Sequence, residues 1–251
     1  MSDDRLGMYR YFLKDTIRKR INFRLTDQNK GIEIPPIEKP VTPEAVLIDL
    51  PGKNKWQGIP EKDLTKAIED RKSRRVYKKE SLTIDELAYL LWCTQGLRGN
   101  ASYGSAFRMV PSAGCRHAFE TYLAVLNVDG LEPGIYRYLP ISHQLVFEFA
   151  VEMLSEKMVI ASLGQPYPGK AAVTFIWAAI PYRMEWRYGL AAHKVIAIDA
   201  GHVCQNLYLA CETIGAGTCA IAAYDQEEMD ELLGIDGEEE FTVYLAPVGK
   251  T

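Results

Sequence analysis

Two stretches of this chain gather groups that could bind a flat or anionic ligand. The first is RMVPSAGCRHAFETYLAVL, residues 108–126. Its centre, Pro111-Ser112-Ala113-Gly114, is a turn without bulky side chains, so backbone N–H groups can approach a ligand closely. Arg108 precedes the turn, and Arg116 and His117 follow it. The same composition also describes an ordinary loop between two elements. The second stretch is Arg71-Lys72-Ser73-Arg74-Arg75. Guanidinium and ammonium groups beside a hydroxyl bind phosphate through charge-assisted hydrogen bonds. They equally suit a helix C-terminus, where cations complement the macrodipole.

Other chemistries find less support. Gly215-Ala216-Gly217-Thr218-Cys219-Ala220 spells a GxGxxG/A string, but it follows a helical pattern and leads into a strand, the reverse of the dinucleotide-binding order. A tight turn after a helix explains it. There is no GxSxG elbow and no Walker A lysine. Asp199 and His202 are i,i+3 on an expected helix, which favours a structural contact over a catalytic pair. The four histidines lack zinc spacing, and the five cysteines, Cys93, Cys115, Cys204, Cys211 and Cys219, form no CxxC pair. No metal is therefore expected. An odd, scattered set argues against a disulfide framework and for a reducing compartment. Cys204 and Cys211, seven apart, share a helical face and read as small buried hydrophobes.

The whole chain sets further limits. It has 251 residues, 47% hydrophobic and 25% charged, with a formal net charge of −4. That suits one large globular domain, or a core with extensions, and argues against a nucleic-acid binder, which usually carries a basic excess. No run approaches the roughly 18 apolar residues that span a bilayer. The opening MSDDRLGMYRYF is acidic and has no apolar signal region, so a cytoplasmic location is expected.

The elements that must position these groups follow from periodicity. Residues 6–24 predict a helix with Tyr9, Phe12, Leu13, Ile17 and Ile21 on one stripe. Prolines at 35, 36, 40, 43, 51 and 60 force an extended course through residues 30–60. Its isoleucines, leucines and valine need a surface, either the parent domain or a second subunit. Residues 1–60 therefore read as an N-terminal helix and Pro-rich arm, and residues 61–251 as the core. Residues 64–70 predict a helix that ends in the basic string. Thr83 and Glu86 form a capping box for a helix stopping near Gly96. Residues 99–104 predict a small polar loop. Residues 135–138 and 145–149 read as hairpin strands, residues 151–163 as a helix, and 171–180 as a strand buried on both faces. Residues 188–214 predict a long helix with a break near Gly201, residues 218–222 an extended run, Asp225 another helix cap, and residues 241–248 a closing strand. Mixed helices and hairpins predict an α+β fold.

Taken together, four blocks resemble the FMN-dependent nitroreductase family, and most of all its SagB-type branch, which includes azoline dehydrogenases. They are RKSRRVY at 71–77, LLWCTQGL at 90–97, VPSAGCRHAFETYLAV at 110–125 and DAGHVCQNLYLACETIGAGTCAIAAYD at 199–225. The resemblance covers roughly residues 61–250. It implies a layered α+β fold with a central, mostly antiparallel sheet flanked by helices, forming a homodimer with FMN at the subunit interface. It implies that Arg71, Ser73 and Arg75, with Lys72 among them, hold the phosphate, ribityl and pyrimidine side of the flavin. Pro111, Ser112, Ala113 and Gly114 would line the isoalloxazine. Ala220, Ile221, Ala222 and Ala223 match the segment whose backbone N–H faces flavin N5, although alanines stand at 222 and 223 where the family more often has Gly or Glu. Lys250 would reach the phosphate. Arg75 or Arg108 would stabilise negative charge on reduced flavin.

The resemblance also implies a flavin-centred oxidoreductase that needs no protein nucleophile. As a nitroreductase it would take hydride from NAD(P)H through N5 and pass it to a small aromatic or quinone acceptor. As an azoline dehydrogenase it would oxidise a modified peptide, with Tyr188 and Lys194 as candidates for its acid/base group. A non-catalytic flavin carrier or sensor is a third reading.

Overall fold

The computed structural model describes residues 3–99, 101–102 and 104–251. Seven strands form one sheet: β1 (Val46–Asp49), β2 (Phe119–Val125), β3 (Gly134–Leu139), β4 (Gln144–Phe149), β5 (Val173–Ala179), β6 (Ala216–Thr218) and β7 (Phe241–Lys250). Their order is β1-β4-β3-β2-β5-β7-β6, and every strand pair is antiparallel. The α+β expectation therefore holds. Seven α-helices accompany the strands among the described residues: α1 (Asp3–Leu13), α2 (Leu64–Asp70), α3 (Ile84–Gln95), α4 (Leu154–Ala161), α5 (Tyr182–Tyr188), α6 (Ala192–Thr213) and α7 (Gln226–Leu233).

Period-two alternation sorts the two central strands onto two cores. Phe119, Leu123 and Val125 of β2, with Val173, Phe175, Trp177 and Ala179 of β5, face the core shared with α3 and α6. Tyr122 and Ala124, with Ile176 and Ala178, face the core under α4 and α7. Every residue of β2 and β5 is buried, because each strand has neighbours on both edges and helices on both faces. Such strands carry no polar alternation, which is why residues 171–180 read as a continuous apolar run.

Local chemistry sets the helix ends. The Thr83 hydroxyl accepts from Glu86 N, and the Glu86 carboxylate accepts from Thr83 N, so α3 starts on the expected capping box. Asp225 caps α7 by accepting from Glu228 N. In two places the helix expectations need correction. The N-terminal helix ends at Leu13 and gives way to 3-10 turns over Asp15–Arg20 and Phe23–Leu25. Asp15, Thr16 and Ile17 are poor helix formers, and Asp15 takes Arg18 as a local partner instead. The apolar stripe is not covered within the chain: Tyr9 and Leu13 are each 70% exposed. The long helix is continuous through Gly201, which faces open space. The break falls earlier, at Gly189 (φ 50°, ψ −135°) between α5 and α6, a conformation open to glycine. Of the loop expected over 99–104, residues 100 and 103 lie outside the described residues.

The Pro-rich segment lies on its own domain. β1 adds to the sheet edge beside β4, and Ile37 is fully buried. Prolines remove N–H groups but leave carbonyls that need donors. Buried arginines supply them. Arg116 Nη2 donates to Pro35 O (3.0 Å), Arg108 Nη2 to Ile37 O (2.7 Å), and Arg137 to Lys39 O (3.0 Å) and Pro40 O (3.3 Å). Glu120, 2% exposed, accepts from Lys39 N at 2.8 Å and pairs with Arg183 and Arg137. Burial alone would raise the Glu120 pKa, but the facing guanidinium groups of Arg183 and Arg137 outweigh it and hold it below the ordinary value.

Candidate functional site

The basic string begins where α2 ends, with Arg71 as its C-cap. Beyond it the chain runs extended beside β6 and β7: Arg74 N donates to Thr218 O and Lys78 N to Lys250 O, each at 2.9 Å. Extension imposes a period of two. Arg74 turns to one side, where Nη2 lies 3.8 Å from Glu212 and its stem fills the space above Gly217. Arg71, Ser73 and Arg75 turn to the other. The Arg71 guanidinium sits 5.4 Å from the Tyr208 ring centroid and that of Arg75 sits 5.9 Å from Tyr167. Neither has a carboxylate partner among the described residues. Lys72 has the opposite parity and is exposed.

Tyr208 ties this face together. Its hydroxyl is 3.0 Å from Ser73 Oγ and accepts from Ala220 N at 2.9 Å. Ile221 bridges to Leu245 and is buried, whereas Ala222 and Ala223 are exposed. Gln165 Nε2 donates to Ala223 O (2.8 Å), and Tyr167 donates to Gln165 Oε1 (2.7 Å), which links the alanine segment back to the ring beneath Arg75. The structure thus brings Arg71, Ser73 and Arg75 onto one face beside the 220–223 segment, of which Ala222 and Ala223 are exposed. Tyr208 and Tyr167 were not singled out from sequence. The available signal for Tyr208 was its place inside the block at 199–225; Tyr167 lies outside all four blocks.

The 111–114 turn forms a second group at the other end of α6. Gly114 (φ 61°), Cys115 (φ 55°) and His117 (φ 49°) are all left-handed. Non-glycine residues hold that conformation only where their surroundings enforce it, and such positions cluster at functional sites. Ser112 Oγ accepts from His117 N at 3.0 Å. A Cβ on Gly114 would lie 2.6 Å from the Tyr188 hydroxyl and 3.1 Å from Arg187 Nε, so Tyr188 closes directly over the turn. His117 is 4% exposed, its Nε2 lies 2.9 Å from Ala106 O, and burial pushes its pKa down to about 3. It is therefore neutral, with Nε2–H as donor.

Two of the expected ligand residues stand elsewhere. Arg108 is 2% exposed and commits Nη1 to Gln95 and Nη2 to Ile37 O, so it belongs to the arm clasp. Lys250 Nζ donates to the Glu86 carboxylate and to Ile214 O. Lys194, the acid/base candidate, lies near the start of α6. The two assembled groups are themselves separate. Asp199, which faces the 111–114 turn, and Tyr208 are nine residues apart on α6. That is about 13 Å along the axis and roughly half a turn around it. Asp199 and His202 share one side of the helix as expected, with 3.8 Å between Oδ1 and Nδ1.

Among the described residues, no helix is long and apolar enough to cross a membrane. Residues 68–250 match the Nitroreductase family. A Methanocaldococcus jannaschii protein described as a nitroreductase is 32% identical over 192 residues, 76% of this chain and 93% of its own length. Two solved structures, also described as nitroreductases, share the fold. The Ralstonia eutropha structure has a TM-score of 0.67 at 24% identity, covering 86% of this chain and 97% of that one. The Anabaena variabilis structure has a TM-score of 0.65 at 25% identity, covering 83% of this chain but 42% of the longer one. A family match over residues 68–250, on the predicted sheet with the predicted motif blocks in order, places the chain in the nitroreductase family, as an oxidoreductase.

Proposed function

We propose that the protein is a homodimeric FMN oxidoreductase that takes electrons from NAD(P)H and passes them to a small aromatic or quinone acceptor. The observation that carries this reading is the surface face of Arg71, Ser73 and Arg75, ordered by Tyr208 and without a carboxylate partner among the described residues. An uncompensated pair of guanidinium groups beside a hydroxyl fits a phosphate dianion. The 111–114 turn, exposed at Pro111 and Gly114 and without bulky side chains, fits the close approach of a flat ring. FMN, when bound, would supply the two-electron hydride chemistry. The protein's part is to hold the phosphate with Arg71, Ser73 and Arg75, to present the backbone N–H groups of Ala222 and Ala223, since those of Ala220 and Ile221 already donate to Tyr208 and Leu245, and to exclude water from the ring with the 111–114 turn and Tyr188.

The dimer in this reading is supported by α6. Its outer stripe, Ala197, Ile198, Gly201, His202 and Gln205, is exposed, and Ile198 is 48% exposed in the middle of it. The two groups lie on opposite sides of this helix. A second copy of α6 covering the stripe would let the turn of one subunit complete the basic face of the other. Ile198→Glu should then give a monomer by light scattering and lose flavin together with the dimer. A variant that stays dimeric and yellow would move the interface elsewhere.

The test of function is a visible spectrum recorded anaerobically before and after NADPH. A flavin spectrum that bleaches supports the reductase. One that persists with both NADPH and NADH supports the azoline dehydrogenase suggested by the four motif blocks together, or a flavin carrier; bleaching by a thiazoline peptide separates those two. Protein that stays colourless after soaking in FMN overturns the assignment.

A further inference from the structure

The peptides of Ala222 and Ala223 are held at both ends and open in the middle. On one side Ile221 is fixed to β7, donating to Leu245 O at 2.8 Å and accepting from Leu245 N at 3.2 Å. On the other, Asp225 N donates to Ala161 O at the end of α4 (2.9 Å), and the Tyr224 hydroxyl donates to Thr242 O (2.8 Å). Between these anchors Ala222 and Ala223 are exposed, and their N–H groups donate to nothing among the described residues. A methyl side chain cannot hold its own backbone, so the direction of these N–H groups depends on what reaches the segment from outside.

One side chain does so by hydrogen bonds. Gln165 sits in the reversal that follows α4, where Leu163 (φ 55°) and Gly164 (φ 78°) are both left-handed. Leu163 N donates to Ile160 O and Gly164 N to Val159 O, each at 2.9 Å, so the reversal is closed onto its helix. Pro166 and Pro168 stand on either side of the buried Tyr167, and their fixed φ stiffens the mount. Gln165 Nε2 donates to Ala223 O (2.8 Å) and to Ser162 O (2.9 Å), and Oε1 accepts from the Tyr167 hydroxyl (2.7 Å). Both amide hydrogens are thereby used. The two carbonyl partners also settle which way the amide faces, since a reversed amide would set its oxygen against two acceptors. The Tyr167 ring lies 5.9 Å beneath the Arg75 guanidinium. One side chain therefore joins the end of α4, the Arg75 side of the basic face and the Ala223 carbonyl.

We propose that Gln165 is the positioning residue of the Ala222–Ala223 pair: by holding the Ala223 carbonyl it sets where the two free N–H groups point, and so aims them at the flavin ring. The inference rests on the FMN reading for its ligand, but not for its contacts. It makes Gln165 act on the ring more than on affinity, because Arg71, Ser73 and Arg75 hold the phosphate without it. It also requires residue 165 to donate, not merely to fill space. Gln165→Glu keeps an acceptor for Tyr167 but sets a carboxylate against two carbonyls; once protonated it regains one donor.

The experiment compares wild type, Gln165→Ala and Gln165→Glu by amide exchange of the apoprotein and by the spectrum and reduction of bound FMN. Gln165→Ala should speed exchange of the Asp225 N–H about tenfold, with Ile221 unchanged as the internal reference. It should shift the visible bands of bound FMN and slow reduction by NADPH about tenfold through misalignment, with little change in FMN affinity. Gln165→Glu should match Gln165→Ala while its carboxyl is ionised. As pH falls through that titration it should regain part of the Asp225 protection, measured against wild type at the same pH, a rescue that lost packing would not give. Unchanged Asp225 exchange in both variants overturns the proposal. Faster exchange with unchanged bands and an unchanged reduction rate confines Gln165 to a structural tie and overturns it as well, and Gln165→Glu without recovery at low pH removes the donor role. Wild type that takes up no FMN removes the proposed function, and Asp225 exchange still decides whether Gln165 holds the segment.

Discussion

Arg108, Arg116, Arg137 and Arg183 are each no more than 3% exposed, whereas Arg71 and Arg75 lie at the surface over tyrosine rings. The buried set meets the carbonyls of Pro35, Ile37, Lys39 and Pro40, together with Glu120. The surface set meets no carboxylate among the described residues. The contrast follows from desolvation. A guanidinium group taken out of water must have its donors satisfied inside the protein, so its binding capacity is used by the fold. One left at the surface keeps that capacity for a ligand. Arg108 and Arg75, equivalent as flavin cations in the sequence, fall on opposite sides of this division.

The largest effect should come from breaking the buried set at its shared carboxylate. Glu120→Gln removes the charge that offsets Arg183 and Arg137 while preserving shape. Stranding buried cations in this way costs about 3–5 kcal/mol. Urea unfolding should show this as a shift in midpoint, and a loss below about 1 kcal/mol would mean the arm does not depend on this hub. The matching change at the surface should do the reverse. Arg71→Ala with Ser73→Ala should weaken FMN binding about a hundredfold, from one charge-assisted and one neutral hydrogen bond, with little effect on thermal stability. Stoichiometric flavin retained in that double variant would remove the phosphate assignment.

His117 sharpens the comparison through pH. It sits with the buried set, its pKa depressed to about 3 from an unfolded value of 6.5. A depressed base is held neutral by the fold, so its contribution is complete above pH 6.5 and is lost as pH falls towards 3. Stability should decline by roughly 1.4 kcal/mol per pH unit inside that window, and His117→Phe should flatten that part of the profile. An unchanged slope in the variant would locate the acid sensitivity in another group.

Much of this architecture was legible because it is local. The Thr83–Glu86 box, the Asp225 cap, the 64–70 helix and the apolar run of β5 each depend on residues within a few positions of one another. The separation of the two arginine sets was not legible, because it depends on where the arm's carbonyls come to rest. Pro35 and Arg116 are 81 residues apart in sequence. The same reason hid Tyr208, whose partners Ser73 and Ala220 approach from opposite directions along the chain. The 71–75 string shows both regimes: its alternation was available from extended geometry, but which parity faces Tyr208 is set by the β6 register that places Arg74 against Thr218. Gly201 misled for the converse reason, since a glycine pointing into open space leaves a helix intact.

Tyr208→Phe gives the smallest and most selective effect. It removes one oxygen and leaves the ring under Arg71, so the cation–π contact survives. What it deletes is the link between the Ser73 hydroxyl and Ala220 N. Both groups lie beside open surface, so water can replace the lost partner, and the net cost should be about 1 kcal/mol, or roughly fivefold in FMN affinity. If the link serves only to hold Ser73, the loss should vanish when Ser73 is already alanine. If it also aims the 220–223 segment at the ring, the Tyr208→Phe change should still slow flavin reduction by NADPH in the Ser73→Ala background. Equal reduction rates in the single and double variants would confine Tyr208 to the phosphate side of the face.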